Sequence, residues 1–243
     1  MVTGGGSGIG RASSLALLAN GWYVVLVGRR KAALAETASL SGEASSRAVP
    51  IPTDISKPDE VSALFDAVKQ RFGRLDFLFN NAGDNVPSMP IEDVPYADWQ
   101  RVVQTNITGS FLCVQHAYRL MKTQRPMGGR IVNTGAPSAH VPRPDGTTYT
   151  VTKHAIAGLT KAISLDGRKY NIACGQIDPG NVEPPGEQTQ HAAKQANGTL
   201  EVEATMDMEN VTNTLLLMAN MPLEANIQSV FVMPTKMPFI GRG

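Results

Sequence analysis

Apolar residues follow two rhythms along the chain. Short, almost unbroken apolar runs occupy 22–27, 75–79, 130–134, 171–177 and 227–232, with a weaker one at 47–52. Such runs mark strands buried on both faces, as parallel sheets require. Between them apolar residues recur at three- and four-residue spacing, the helix period. Val61, Leu64, Phe65 and Val68 line one face of a helix predicted over 56–72, and Leu15, Leu18 and Ala19 one side of 11–20. The same pattern predicts helices over 32–40, 96–121, from Tyr149 through 154–165, and over 208–219. Strand and helix alternate from end to end, which predicts an α/β protein with a Rossmann-type, doubly wound parallel sheet in one domain, 1–243. Two stretches break the rhythm. One is 84–95, with Pro87, Pro90 and Pro95; the other, about 181–207, is rich in Glu, Pro, Gln and Gly and has no period. The second is expected to be a mobile loop over the site, in the position of a substrate lid.

The first strand is represented only by Met1 and Val2 before Thr3-Gly4-Gly5-Gly6-Ser7-Gly8-Ile9-Gly10. A doubly wound sheet needs that strand at its centre, so the chain is expected to lack native residues before Met1. The glycines let the backbone approach a pyrophosphate, which sits on the helix N-terminus. Gly4, Ser7, Gly8, Ile9 and Gly10 are therefore candidate cofactor contacts. After the second strand comes Gly28-Arg29-Arg30-Lys31, with no acid. An acid there would bind a ribose 2′-hydroxyl; arginine accommodates a 2′-phosphate. Arg29, and Arg30 next, point to NADP(H), against the bland alternative of a solvated basic turn. Asp54 and Ile55 end the third strand and can bracket an adenine. The fourth strand ends in Asn80-Asn81-Ala82-Gly83, small enough for a cofactor ring to lie across it.

Net charge is +1 with no basic cluster beyond Arg29-Arg30-Lys31, so nothing electrostatic supports a nucleic-acid or membrane-surface role. No apolar run approaches the ~20 residues that span a bilayer, and no signal peptide is expected, the chain opening directly on the glycine turn. Cys113 and Cys174 lack metal-ligand or disulfide patterning, which fits a reducing, cytoplasmic setting. His116, His140, His154 and His191 are scattered without metal spacing, and no metal site is expected.

Chemistry concentrates in 129–154, GRIVNTGAPSAHVPRPDGTTYTVTKH. Tyr149 and Lys153 stand four apart, one turn along a helix face. A nearby ammonium favours the phenolate and is expected to lower the Tyr149 pKa, making it a usable proton donor or acceptor. Asn106 sits inside a predicted helix, where its propensity is unfavourable and a functional or packing reason is expected.

Thr3–Gly10, Asp54, Asn80–Gly83, Asn106, Tyr149-x-x-x-Lys153 and Pro179-Gly180, in this order, resemble the short-chain dehydrogenase/reductase family over essentially the whole chain. The resemblance implies about seven parallel strands and a homodimer or homotetramer. It implies that Lys153 holds the nicotinamide ribose and tunes Tyr149, and that Asn106 anchors a water feeding protons to Lys153. Asn81, Ala82, Gly83, Pro179, Gly180 and Val182 would contact the cofactor, the last three flanking the nicotinamide.

One position departs. The family's serine, thirteen residues before the tyrosine, falls on Ala136; Ser138 lies two residues on and is not assigned that role. That serine donates to the substrate carbonyl and developing alkoxide, and losing such a donor costs about 10²–10³ in rate. Three explanations stand open: a Ser-to-Ala variant, a non-catalytic relative, or a substrate that needs no such donor. An iminium carbon is already electrophilic and develops no oxyanion. Asp145, four residues before Tyr149, could then pair with or protonate a nitrogen, or serve only as a turn-forming Asp-Gly. Val182-Glu183-Pro184-Pro185-Gly186-Glu187 is similar to fungal members that reduce iminium intermediates of prenylated indole alkaloids, some guiding a Diels–Alder closure. The expected function is an NADPH-dependent reductase acting on the iminium or carbonyl of a bulky apolar small molecule. The alternatives are an ordinary ketone reductase with its serine changed, and an NADP(H)-binding protein without turnover.

Overall fold

The computed structural model describes residues 1–183 and 191–240. Its elements run β1 (Val2–Thr3), α1 (Gly8–Ala19), β2 (Val24–Gly28), α2 (Lys31–Leu40), β3 (Ala48–Pro52), α3 (Pro58–Phe72) and β4 (Phe77–Asn80). They continue α4 (Tyr96–Val103), α5 (Ser110–Thr123), β5 (Gly129–Thr134), α6 (Thr147–Asp166) and β6 (Ile172–Pro179). Then follow β7 (Val182–Glu183), β8 (His191–Lys194), β9 (Leu200–Glu203), β10 (Met206–Asp207), α7 (Met208–Asn220) and β11 (Ser229–Val232).

Among the described residues seven strands form one parallel sheet in the order β11-β6-β5-β4-β1-β2-β3. The chain order reverses between β1 and β4, and an open α/β sheet places its ligand crevice at such a switch, beyond the carboxyl ends of the strands. Alternate strand residues feed opposite faces. Val25, Val27, Leu78 and Ile131 pack under α3 and α5; Val24, Leu26, Phe79 and Val132 pack under α1, α2 and α7. The runs lack polar alternation because both faces are covered. β1 is two residues long, yet Val2 pairs with both Leu26 and Phe79.

α3 illustrates how sequence sets an element. Pro58 opens it, Asp59 and Glu60 lie in the first turn, Lys69 and Arg71 in the last, and Gly73 ends it at φ 70°. Each choice suits the helix dipole or the left-handed cap. Its face of Val61, Leu64, Phe65 and Val68 is buried. Each such side chain contributes roughly 1.5–3 kcal/mol, so a charge at Leu64 would unseat the helix.

Two expectations need correction. The helix predicted over 96–121 is interrupted by a π-helical turn, Gln104–Gly109, between α4 and α5. The wider turn carries Asn106 inward, and it tolerates Gly109 against Ile55, where a Cβ would come within 2.8 Å of the isoleucine side chain. The segment 181–207, expected to lack structure, contains an antiparallel hairpin. β8 and β9 pair from His191↔Glu203 to Lys194↔Leu200, and β7 pairs with β10. The hairpin turns at Gly198, φ 89°. Pro184–Glu187, which carry the fungal likeness, lie outside the described residues. No helix among the described residues is long and apolar enough to cross a membrane.

Candidate active site

The glycine turn is built for close approach. Gly4 has φ 73°, and a Cβ there would stand 2.9 Å from Asn81 Nδ2; a Cβ on Gly10 would overlap the Gly4 carbonyl. α1 begins at Gly8, earlier than expected, so its free N–H groups open on the turn. A groove of about 150 Å³ runs along Gly4, Ser7, Arg29, Arg30, Asp54, Ile55, Ala82 and Gly83. Arg30 donates to Ser7 Oγ at 3.3 Å. Asp54 accepts from the Ser56 N–H and hydroxyl, at 3.0 and 2.7 Å. Burial pushes its carboxyl up, but the Ser56 bonds and the charges of Arg29 and Lys57 outweigh that and hold it below the ordinary value. A glycine-lined groove at a helix N-terminus fits the pyrophosphate of a nicotinamide dinucleotide, and two guanidinium groups lie along it. Asn81 is a brace: its N–H donates to Thr3 Oγ1 at 2.8 Å, its amide to Thr3 O at 3.0 Å, and it accepts from Thr134 Oγ1 at 3.3 Å.

A second, larger cavity of about 780 Å³ adjoins that groove at the glycine turn, where Gly8 and Ile9 line it together with Tyr149, Asp145, Gly180 and Val182. Met89, Leu200 and Met208 supply apolar wall. Another cavity, about 450 Å³ between Trp22, Phe72 and Phe77, lies at the amino ends of the strands, remote from this chemistry.

Tyr149 and Lys153 occupy the first two turns of α6. Lys153 Nζ donates to the Thr134 carbonyl at 2.8 Å and stands 5.3 Å from the Tyr149 ring centre. Burial lowers the ammonium to about 8, against the raising effect of Asp178. Tyr149 runs against expectation: burial, then the charge of Asp178, pushes its phenol up to about 12, and Arg143 only partly opposes this. The spacing argument counted one neighbouring charge and missed desolvation, which is larger.

Asn106 spends its side chain on protein partners. Its oxygen accepts from the Asp84 N–H at 2.7 Å, and its amide donates to Asp84 O at 2.9 Å and Thr152 Oγ1 at 3.2 Å. It therefore ties the 84–95 loop to α6 one residue from Lys153. Arg101 pairs with Asp84 on the outer side.

After β5 the chain turns through Gly135 and a single 3₁₀ turn, Pro137–Ala139. Ala136 is buried at 5% exposure, and its N–H donates to Asp178 Oδ1 at 2.8 Å. Ser138 is buried on the wall of the large cavity with Tyr149. Asp145, φ 59°, lines the cavity and pairs with Lys194 on β8 at 2.7 Å. Arg143 donates to Glu203 on β9 at 2.5 Å, and Glu203 also accepts from Asn181 and Gln195. These two ion pairs seat the hairpin against the cavity rim. Of the histidines, His140 Nε2 lies 3.3 Å from Asp178 Oδ2 and its ring packs 4.6 Å from Phe231; it does not line the cavity. His154 Nδ1 lies 2.9 Å from Thr150 O. The tail turns back through buried Met237 and Phe239, which packs 5.1 Å from Phe231.

Sequence reasoning overlooked Asp178, Glu203 and Arg143. The available signal was Asp178 itself: an acid ending a strand buried on both faces needs partners. Both cysteines are buried and free, and no group of three or more metal-ligating side chains clusters among the described residues.

The comparisons place this geometry. A family model described as short chain dehydrogenase matches residues 1–195. The chain is 35% identical to a 3beta-hydroxysteroid dehydrogenase of Mediterraneibacter gnavus, over 76% of this chain and 66% of that one, just under two thirds of the relative's length. It is 33% identical to the short chain dehydrogenase/reductase astE of Aspergillus oryzae, over 75% of this chain and 70% of that one. An acetoin dehydrogenase structure from Enterobacter cloacae superposes with TM-score 0.82 at 29% identity, covering 96% of this chain and 93% of that one. With its sheet order, glycine turn and Tyr149–Lys153 pair, the chain belongs to the short-chain dehydrogenase family, whose members are oxidoreductases.

Proposed function

We propose that the protein is an NADP(H)-dependent reductase delivering hydride to the carbon of an iminium or carbonyl group in a bulky, apolar small molecule. The observation that carries this reading is that one glycine turn lines two cavities, Gly4, Gly6 and Ser7 the first and Gly8 and Ile9 the second. The first also holds Arg29 and Arg30, and the second, about 780 Å³, holds Tyr149 and Val182. The nicotinamide, when bound, supplies the hydride. Arg29 and Arg30 bind the 2′-phosphate, the Gly4–Gly10 turn the pyrophosphate, and Asp54 with Ile55 the adenine. Ala82, Gly83, Pro179, Gly180 and Val182 flank the rest, Asn81 braces the groove floor, and Lys153 holds the ribose. A phenol raised to about 12 stays protonated at neutral pH, the form a proton donor needs.

Ala136 favours the iminium substrate, because hydride addition there develops no oxyanion. Asp145, already paired with Lys194, acts at the chamber rim by exchanging that ammonium for a cationic substrate nitrogen. The carbonyl reading draws on Ser138, whose place on the chamber wall offers a hydroxyl near Tyr149, and on the hydroxysteroid relative, named for a rigid apolar ring system. The test is consumption of NADPH with cyclic imines set against cyclic ketones. Imine turnover at least 10²-fold above ketone supports the iminium form; the reverse supports the carbonyl form. Turnover of neither, with NADPH bound, overturns the enzyme reading.

A further inference from the structure

We propose that Asp178 is a positioning residue of this site: a fixed anion behind the Gly135–Ala136 turn that holds the turn in place and serves as counter-ion to the Lys153 ammonium. The inference deepens, and rests on, the reading of Tyr149 and Lys153 as the reacting pair.

Asp178 ends β6 and its side chain has no exposed surface. A carboxylate so placed is costly unless its lone pairs are filled, and here they are. Oδ1 accepts from the Ala136 N–H at 2.8 Å and the Gln176 amide at 2.7 Å. Oδ2 accepts from the Ser229 hydroxyl at 3.2 Å and faces His140 Nε2 at 3.3 Å. These partners come from the turn after β5, from β6 itself and from β11, so one carboxylate joins three neighbouring segments at the carboxyl edge of the sheet.

The turn is shaped around it. A Cβ on Gly135 would overlap Asp178 Oδ1 and stand 2.5 Å from Gln176 Nε2. Gly135 has an ordinary backbone conformation, so what demands glycine there is room for the carboxylate. Beside it, Ala136 engages Asp178 through its N–H. The turn that in the family carries the serine is thus anchored here from behind, through its backbone.

His140 faces Asp178 from the turn and the uncharged Ser229 from β11; Lys153 reaches the same turn from α6, its Nζ donating to the Thr134 carbonyl at 2.8 Å, two residues before the Ala136 N–H that Asp178 holds. The Asp178 charge raises both Lys153 and Tyr149. It therefore opposes the burial that strips Lys153 of its proton, and it adds to the burial that keeps Tyr149 protonated.

The test is Asp178→Asn, whose amide oxygen can still accept from Ala136 while the charge is gone. Lysine labelled with ¹³C and ¹⁵N at its side-chain end is titrated by NMR, with the Lys153 signal assigned by its loss in Lys153→Met. The inference predicts a Lys153 midpoint lower by about one pH unit or more. It also predicts a basic limb of kcat moved in the same direction, with substrate KM within about threefold. An unchanged midpoint in a folded variant overturns it. If Asp178→Asn does not fold, Asp178→Ser, a smaller neutral acceptor, is titrated in its place, and an unchanged Lys153 midpoint overturns the inference. Both readouts report charge rather than turnover, so they hold even if the wild type reduces neither imine nor ketone, which would sink only the functional reading.

Discussion

Lys153 Nζ donates to the Thr134 carbonyl at 2.8 Å while standing 5.3 Å from the centre of the Tyr149 ring. The ammonium is thus held by the end of β5, and the phenol beside it keeps its proton. Replacing Tyr149 with Phe should remove the proton donor without disturbing the cofactor groove. With a ketone or an uncharged imine, which must gain a proton, the expected loss in kcat is about 10²–10⁴-fold, whereas an iminium takes hydride alone and loses little; NADPH affinity stays within a few-fold, measured by steady-state kinetics and cofactor titration.

Burying that ammonium costs stability. Lys153 falls from 10.5 to about 8 in the folded chain, so between those values the unfolded chain binds more protons. The penalty is full below about pH 8 and fades as pH rises toward 10.5. Lys153→Met removes it and forfeits one hydrogen bond worth roughly 0.5–1.5 kcal/mol. The variant should melt higher than wild type at pH 7, by a few degrees, while losing activity. A lower melting temperature at pH 7 would contradict the burial argument.

On the proposed reading, Arg29 and Arg30 set cofactor choice by their charge. Arg29→Asp should cut kcat/KM for NADPH by 10-fold or more, since an exposed charge contact is worth up to about 1 kcal/mol and the new carboxylate repels the phosphate. NADH should gain in relative terms, read from the ratio of the two kcat/KM values. An unchanged ratio would mean that the basic turn is merely solvated.

Glu203 clasps the β8–β9 hairpin to Arg143. Burial pushes its carboxyl up, but the bonds from Arg143, Asn181 and Gln195 and the charge of Arg143 together hold it below the ordinary 4.5. The clasp's contribution is therefore complete above about pH 4.5 and is lost as pH falls through the lower folded value. Glu203→Gln should raise substrate KM several-fold, leave NADPH affinity unchanged, and speed proteolytic cutting of the hairpin.

What could be read from the sequence follows from which forces are local. Buried strands announce themselves because a two-faced strand must be apolar throughout, and 22–27 and 171–177 fall on β2 and β6 within a residue or two. The glycine turn was legible because close approach leaves no other residue type. The hairpin was not: Leu200 and Val202 are exposed, so no apolar period exists, and its seat depends on Arg143 and Asp145 far back in the chain. Asn106 looked like a helix residue with a function, but the π turn that carries it and its bonds to Asp84 and Thr152 join segments far apart in the chain. The Tyr149 shift was misjudged because burial, unlike spacing, is a property of the whole fold. Asp178 gains its meaning only where β5, β6 and β11 meet.

The most direct measurement follows the transferred hydrogen. NADPH carrying deuterium at both nicotinamide C4 positions is incubated with a ketone or an uncharged cyclic imine, each of which must gain a proton as well as the hydride, and the product is weighed by mass spectrometry for wild type and Tyr149→Phe. The predicted result is one deuterium in the product, formed at least 10²-fold faster by wild type. A product without deuterium, or equal rates for the two proteins, would contradict the account.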